Sequence, residues 1–145
     1  MGRAKIFIAV LLLALAGRTA AADDLTGSGR FLCAAVQATA CVEDGECGID
    51  VPWNLNIPDF FEVDLEAKRL STTKASGENR ATSIEGLIRQ GGIISFHGFE
   101  NGRAFSWVIS EQTGRATVAV ATDGASVAVF GACTPIVEAA GSAGR

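Results

Sequence analysis

The chain has 145 residues, 12 of them basic and 16 acidic, for a net charge of −4. That length suits one domain, and the acidic balance argues against nucleic acid or an anionic membrane surface as partner, because both reward a basic face. The longest apolar run falls short of the ~18 residues that cross a bilayer, so no membrane span is expected.

Residues 1–22 read as an export signal. Arg3 and Lys5 make a positive start, Ile6 to Leu15 is an uninterrupted apolar run of ten, and Ala20-Ala21-Ala22 supplies the small residues of a cleavage site. Arg18 follows Leu-Ala-Gly where a lipid anchor would need a cysteine, so a soluble protein of the bacterial periplasm or the medium is expected. Cleavage before Asp23 removes three basic and no acidic residues and leaves 123 residues with a charge of −7. Residues 23–30 (DDLTGSGR) are polar and glycine-rich and are expected to form a flexible lead-in to a single β domain over 31–135. The small, polar residues 136–145 are expected to form a flexible tail.

Four cysteines follow the signal: Cys33, Cys41, Cys47 and Cys133. An even count in a small exported domain implies two disulfides. Cys33 and Cys41 lie about 26 Å apart along a strand or ~12 Å along a helix, too far to bridge. Asp44-Gly45 is a tight-turn signal that lets Cys41 face Cys47, which leaves Cys33 for Cys133. The pairing of Cys33 with Cys47 and Cys41 with Cys133 stays open, although it makes no use of the turn.

Strands dominate what remains. Phe31 to Val42 is assigned as a strand, Pro52 and Pro58 make 48–58 an irregular crossing, and Trp53 on it is expected to plug one end of the core. Phe61, Val63 and Leu65 alternate with Glu62, Asp64 and Glu66, the pattern of a half-buried strand with its acids in solvent. Arg69 to Lys74 follows as a strand, 75–81 as a polar loop, and Thr82 to Arg89 as a strand with Ile84, Gly86 and Ile88 on one side. Turn pairs at 91/92, 101/102, 113/114 and 123/124 then cut the chain every ten to twelve residues into a meander. About eight strands in that order predict a small antiparallel meander barrel, with a β-sandwich as the alternative.

No catalytic constellation emerges, so an enzyme is not expected, and neither a cofactor nor a metal site is assigned. His97 is the only histidine and shares a strand face with Ser95, but their side chains diverge by ~7 Å along the strand. The turn Glu43-Asp44-Gly45-Glu46 with Asp50 lacks the alternating ligands of a calcium loop and reads as a charged hairpin tip. Two binding candidates remain. Small inward residues (Ala116, Val118, Val120, Ala125, Val127) leave room for a pocket lined by Trp53, Phe96, Phe105 and Trp107. The polar loop Ser76-Gly77-Glu78-Asn79-Arg80 is placed at a barrel end, where partner-binding loops sit.

The stretch ASGENR, followed by a strand and then Phe96 to Phe99, resembles the Ser-Gly loop of bacterial periplasmic inhibitors of c-type lysozyme. Those are small exported β-barrels with disulfides that insert the loop into the lysozyme cleft. The resemblance implies a partner-binding role for Ser76 and Gly77. Arg80 stands near the place of that family's tyrosine, and ISFHGF lacks its tryptophan-rich, lysine-bearing motif. The second half, ENGRAFSWVI to FGACTP, is also similar to small exported Gram-negative bacterial proteins of unknown function, which implies an address and an all-β fold but no activity. The expectation is a non-enzymatic exported barrel with a binding role. Its partner is a protein, such as a lysozyme-like enzyme met by the 76–80 loop, or a small apolar ligand.

Overall fold

A computed structural model describes residues 24–137. The signal at 1–22 and the tail from 138 onward lie outside the described residues. Among the described residues ten strands are present: β1 (Arg30–Val42), β2 (Cys47–Asp50), β3 (Phe60–Asp64), β4 (Arg69–Thr72), β5 (Ala81–Ser83), β6 (Gly86–Gln90), β7 (Ile93–Glu100), β8 (Arg103–Ser110), β9 (Arg115–Thr122) and β10 (Ala125–Pro135). All pair antiparallel, in the order β5-β4-β3-β1-β10-β9-β8-β7-β6. The turns are the ones their residues favour. Gly91 and Gly92 take φ of 60° and 76°, and Asn101 and Gly102 take 50° and 79°, the left-handed pairs that tight hairpins require.

The two ends of that sheet belong to one stretch of chain. β5 pairs with β4, and two residues later β6 pairs with β7. At the changeover Ile84 N–H donates to Lys68 O (2.8 Å) and Glu85 N–H to His97 O (2.9 Å), while Thr82 Oγ1 donates to Phe99 O (3.2 Å). Residues 81–90 therefore serve as one bent stave shared by both edges, and the sheet curls round on itself into the expected meander barrel. The bend also shifts the alternation. Ile84 is buried, whereas Ile88, expected on the same side, is 65% exposed on the outer wall.

The Cys33–Cys133 and Cys41–Cys47 bridges both form, and the open alternative pairing is excluded. Cys33 and Cys133 sit directly opposite one another on β1 and β10 and point inward, fully buried. Cys41 and Cys47 are opposite partners at the hairpin of β2. β2 was not expected as a strand; it takes up the edge of β1 beyond the reach of β3, since β3 pairs with 30–34 and β2 with 38–41.

The lead-in expected to be flexible is packed. Leu25 is fully buried, its N–H donates to Glu111 O (2.7 Å), and Arg89 ties it down through Nη2 to Leu25 O (2.9 Å) and Nη1 to Ser28 O (2.8 Å). The Arg89 guanidinium is also ion-paired with Glu111. Thr26, through its hydroxyl and its N–H, holds the Asp24 carboxyl below its usual pKa and fixes the turn that delivers Leu25. One buried leucine in a polar octet gives no periodic signal, which is why the sequence reads as a loose arm.

In the chain-entropy view a bridge stabilises by restricting the unfolded chain, more so for the longer loop. The separations here are 100 and 6 residues. Replacing Cys33 and Cys133 by Ala should lower the unfolding free energy by ~4.7 kcal/mol, and replacing Cys41 and Cys47 by roughly half that. Urea unfolding of the two double variants checks the order; equal losses would contradict it.

Candidate binding site at the open end of the barrel

Because meander turns alternate between ends, the two mouths of the barrel differ in what closes them. One end holds the 64–69, 91–92 and 111–114 turns and is stopped by Leu25. The other gathers the 52–58 crossing, the 73–80 loop and the 100–103 turn. Beneath this second end lies a cavity of about 50 Å³. Phe61, Leu70, Phe105 and Trp107 form one wall, and Ala34, Ala35, Ala116, Val118, Val120, Val129 and Gly131 form the other. Asn56, Ile57, Pro58, Arg80, Glu100 and Arg103 surround its mouth.

The sequence creates this space in two ways. Register slips between Ala35 and Gln37, a bulge that turns Val36 out to solvent (67% exposed) and brings both Ala34 and Ala35 onto the cavity wall. The bulged backbone then crowds β10, where a Cβ on Gly131 would stand 2.1 Å from Ala34 O, so only glycine fits. Small residues on β9, β10 and β1 thus face aromatics on β3 and β8. Trp107 is held by Phe96 stacked at 5.5 Å and by the edge of Phe61 at 5.3 Å, so the aromatic wall does not collapse into the gap.

The four expected pocket aromatics divide. Phe105 and Trp107 line the cavity, and Phe96 is buried behind Trp107 as its support. Trp53 is neither lining nor plug; it is 61% exposed. It sits on a one-turn 3-10 helix, Pro52–Leu55, that buries Pro52 and closes with Ile57 N–H on Pro52 O (3.1 Å), and this turn sends Trp53 outward. Of the small residues, Ala116, Val118 and Val120 line the space as expected. Ala125 and Val127 do not; Val129 and Gly131 take their place.

The 76–80 loop forms part of the same rim. Lys74–Ser76 makes a 3-10 turn, Gly77 (φ 72°) and Asn79 (φ 52°) reverse the chain, and Ser76 Oγ donates to Thr73 O (2.8 Å) while accepting Glu78 N–H (3.3 Å). Arg80 N–H donates to Thr72 Oγ1 (3.0 Å). Its guanidinium grips both oxygens of Glu100 (Nε 3.4 Å, Nη2 3.1 Å), reaches Glu78 at 3.8 Å, and donates from Nη1 to Asn56 O (3.3 Å). Arg103 Nη1 meets the same carbonyl at 3.4 Å and Leu55 O at 3.5 Å. Two arginines from two hairpins thus fasten the crossing over the mouth. Sequence reading missed Arg103, Glu100 and the 56–58 segment, although counting alternate turns along the meander places them at the same end as 76–80.

The remaining chemistry-bearing residues lie elsewhere. His97 is on the outer wall, packed over Gly86, where a Cβ would come within 2.2 Å of its ring, with Ser106 as its cross-strand partner. Among the described residues no hydrogen bond joins the imidazole to Ser95 or Ser106. In the acidic hairpin, Asp44 accepts Glu46 N–H (3.0 Å), while Asp50 accepts Val51 N–H (2.7 Å) and Asn54 Nδ2 (2.8 Å), so both carboxylates shape turns. No group of three or more metal-ligating side chains is found among the described residues.

Arg80 joins the loop, the hairpin tip and the crossing. Arg80→Ala should cost about 1 kcal/mol of global stability while raising amide exchange across 73–80 by an order of magnitude or more. Exchange mass spectrometry checks this, and unchanged protection of 73–80 would contradict it. Comparison of the chain with protein-family models, with curated proteins and with solved structures finds no match.

Proposed function

We propose that this protein is a non-enzymatic, exported binding barrel that takes a small apolar group through its open end. One observation carries the reading: an apolar cavity lies under a charged, loop-built mouth, while the opposite mouth is stopped by Leu25. Pockets of this kind, with an apolar interior and a few polar groups at the rim, are where small ligands bind. The two disulfides support a working place outside the cytoplasm, in the periplasm or the medium. No helix of the described residues is long and apolar enough to cross a membrane.

Size selects the ligand. The cavity of about 50 Å³ is roughly a third of the ~150 Å³ that admits benzene. A short aliphatic group fits; a long acyl chain does not. At ~0.8 kcal/mol per buried CH₂, a group of this size binds weakly unless the rim adds to it. Titration with 3-methylbutanol should give saturable amide shifts at Val118, Val129 and Gly131, and Ala116→Leu, which fills the space, should abolish them. Shifts spread evenly over the outer wall, or unaffected by Ala116→Leu, would overturn the reading.

The position of the 76–80 loop on the same rim supports a second reading, a protein inhibitor of a lysozyme-like enzyme acting through Ser76 and Gly77. Purified protein at micromolar concentration should then slow a c-type lysozyme, and Ser76→Ala with Gly77→Ala should relieve it. Full lysozyme activity in the presence of excess protein would remove this reading.

A further inference from the structure

Resting on the cavity reading, we infer that the aliphatic group taken up carries a carboxylate beside it and that Arg103 receives that carboxylate. The two arginines of the mouth are not in the same state. Arg80 is neutralised: Glu100 gives it both oxygens and Glu78 lies at 3.8 Å. Arg103 has no acidic partner within ion-pair distance among the described residues. Its guanidinium meets only two carbonyls, at 3.4 and 3.5 Å, the long end of the hydrogen-bond range. It also lines the cavity mouth itself. An uncompensated guanidinium at the lip of an apolar cavity is out of place in a chain whose surplus charge is acidic.

A ligand carboxylate resolves that imbalance. It can accept two parallel N–H bonds from the planar guanidinium, stronger and shorter than the carbonyl contacts they would replace. Glu100, the cross-strand neighbour of Arg103, opposes an incoming anion least because Arg80 already holds its charge. The overall acidic field of the protein is screened within about 8 Å at physiological ionic strength, so the local cation decides. The cavity of about 50 Å³ beneath the mouth limits the aliphatic part to a short body. Two sources present this chemistry: a free short-chain acid, and the C-terminal aliphatic residue of a peptide.

The test titrates the full mature protein and its Arg103→Gln and Arg103→Lys variants with 4-methylpentanoate, 4-methylpentanamide, and acetyl-Ala-Ala-Leu as free acid and as amide. Amide shifts at Val118 and Val129 report occupancy. The wild type should bind an acid at least about tenfold more tightly than the matching amide. Arg103→Gln should remove the preference, so that acid and amide bind alike, and Arg103→Lys should keep part of it. A preference for the pentanoate alone assigns a free acid; a preference for the peptide alone assigns a chain terminus. Equal binding of acid and amide would overturn the carboxylate inference and leave the cavity reading standing. A preference surviving in Arg103→Gln would overturn the assignment to Arg103. Absence of binding by every compound, 3-methylbutanol included, would overturn the cavity reading beneath it.

Discussion

A sheet that curls needs a strand able to satisfy two partners, and here residues 81–90 do so. Their first half completes the hydrogen bonding of β4 and their second half that of β7, with Ile84 and Glu85 N–H bonded to opposite neighbours at the bend. Without that division, β4 and β7 would each present an unpaired backbone edge, a template for association with other chains. The inward faces of all the staves then enclose one core. The long Cys33–Cys133 bridge reinforces the same ring from its far side, where the first and last strands meet.

Closure makes an inside, and the two ends of that inside are treated differently. Leu25 and the Arg89–Glu111 pair seal one of them, supplied by a segment that precedes the first strand. At the other end the chain crosses between β2 and β3 with Pro52, Ile57 and Pro58 buried beneath it and Trp53 facing solvent. The β1 bulge and Gly131 widen the barrel just below that crossing. The cavity is therefore a product of three separate local choices. Its mouth is polar because the loops above it carry Arg80, Glu100 and Arg103.

What the sequence revealed follows from which interactions are local. Alternation in Phe105, Trp107 and Ile109 and the Asn-Gly and Asp-Gly turns encode strand and hairpin within a few residues, so the meander and both disulfides were legible. Trp53 was misplaced because burial on an irregular crossing depends on how a 3-10 turn is rotated, which leaves no period in the sequence. Leu25 was missed because its partner, Arg89, lies 64 residues away. The same holds for the mouth: Arg80 and Glu100 are 20 residues apart, and Arg103 contacts carbonyls more than 45 residues upstream. Two of the pocket residues, Phe105 and Trp107, were readable because inward alternation names them. Gly131 was not, since its need for hydrogen as a side chain arises from a bulge on another strand.

Ligand uptake through one mouth requires a barrel interior with an apolar space at that end only. A crystal of the mature protein pressurised with xenon tests this directly, since a dry apolar cavity takes up the gas whereas a filled or hydrated one does not. The structure described here predicts a single xenon between Trp107, Val118 and Val129, with none beside Leu25. Side chains or ordered water occupying that space, or xenon at the Leu25 end instead, would contradict it.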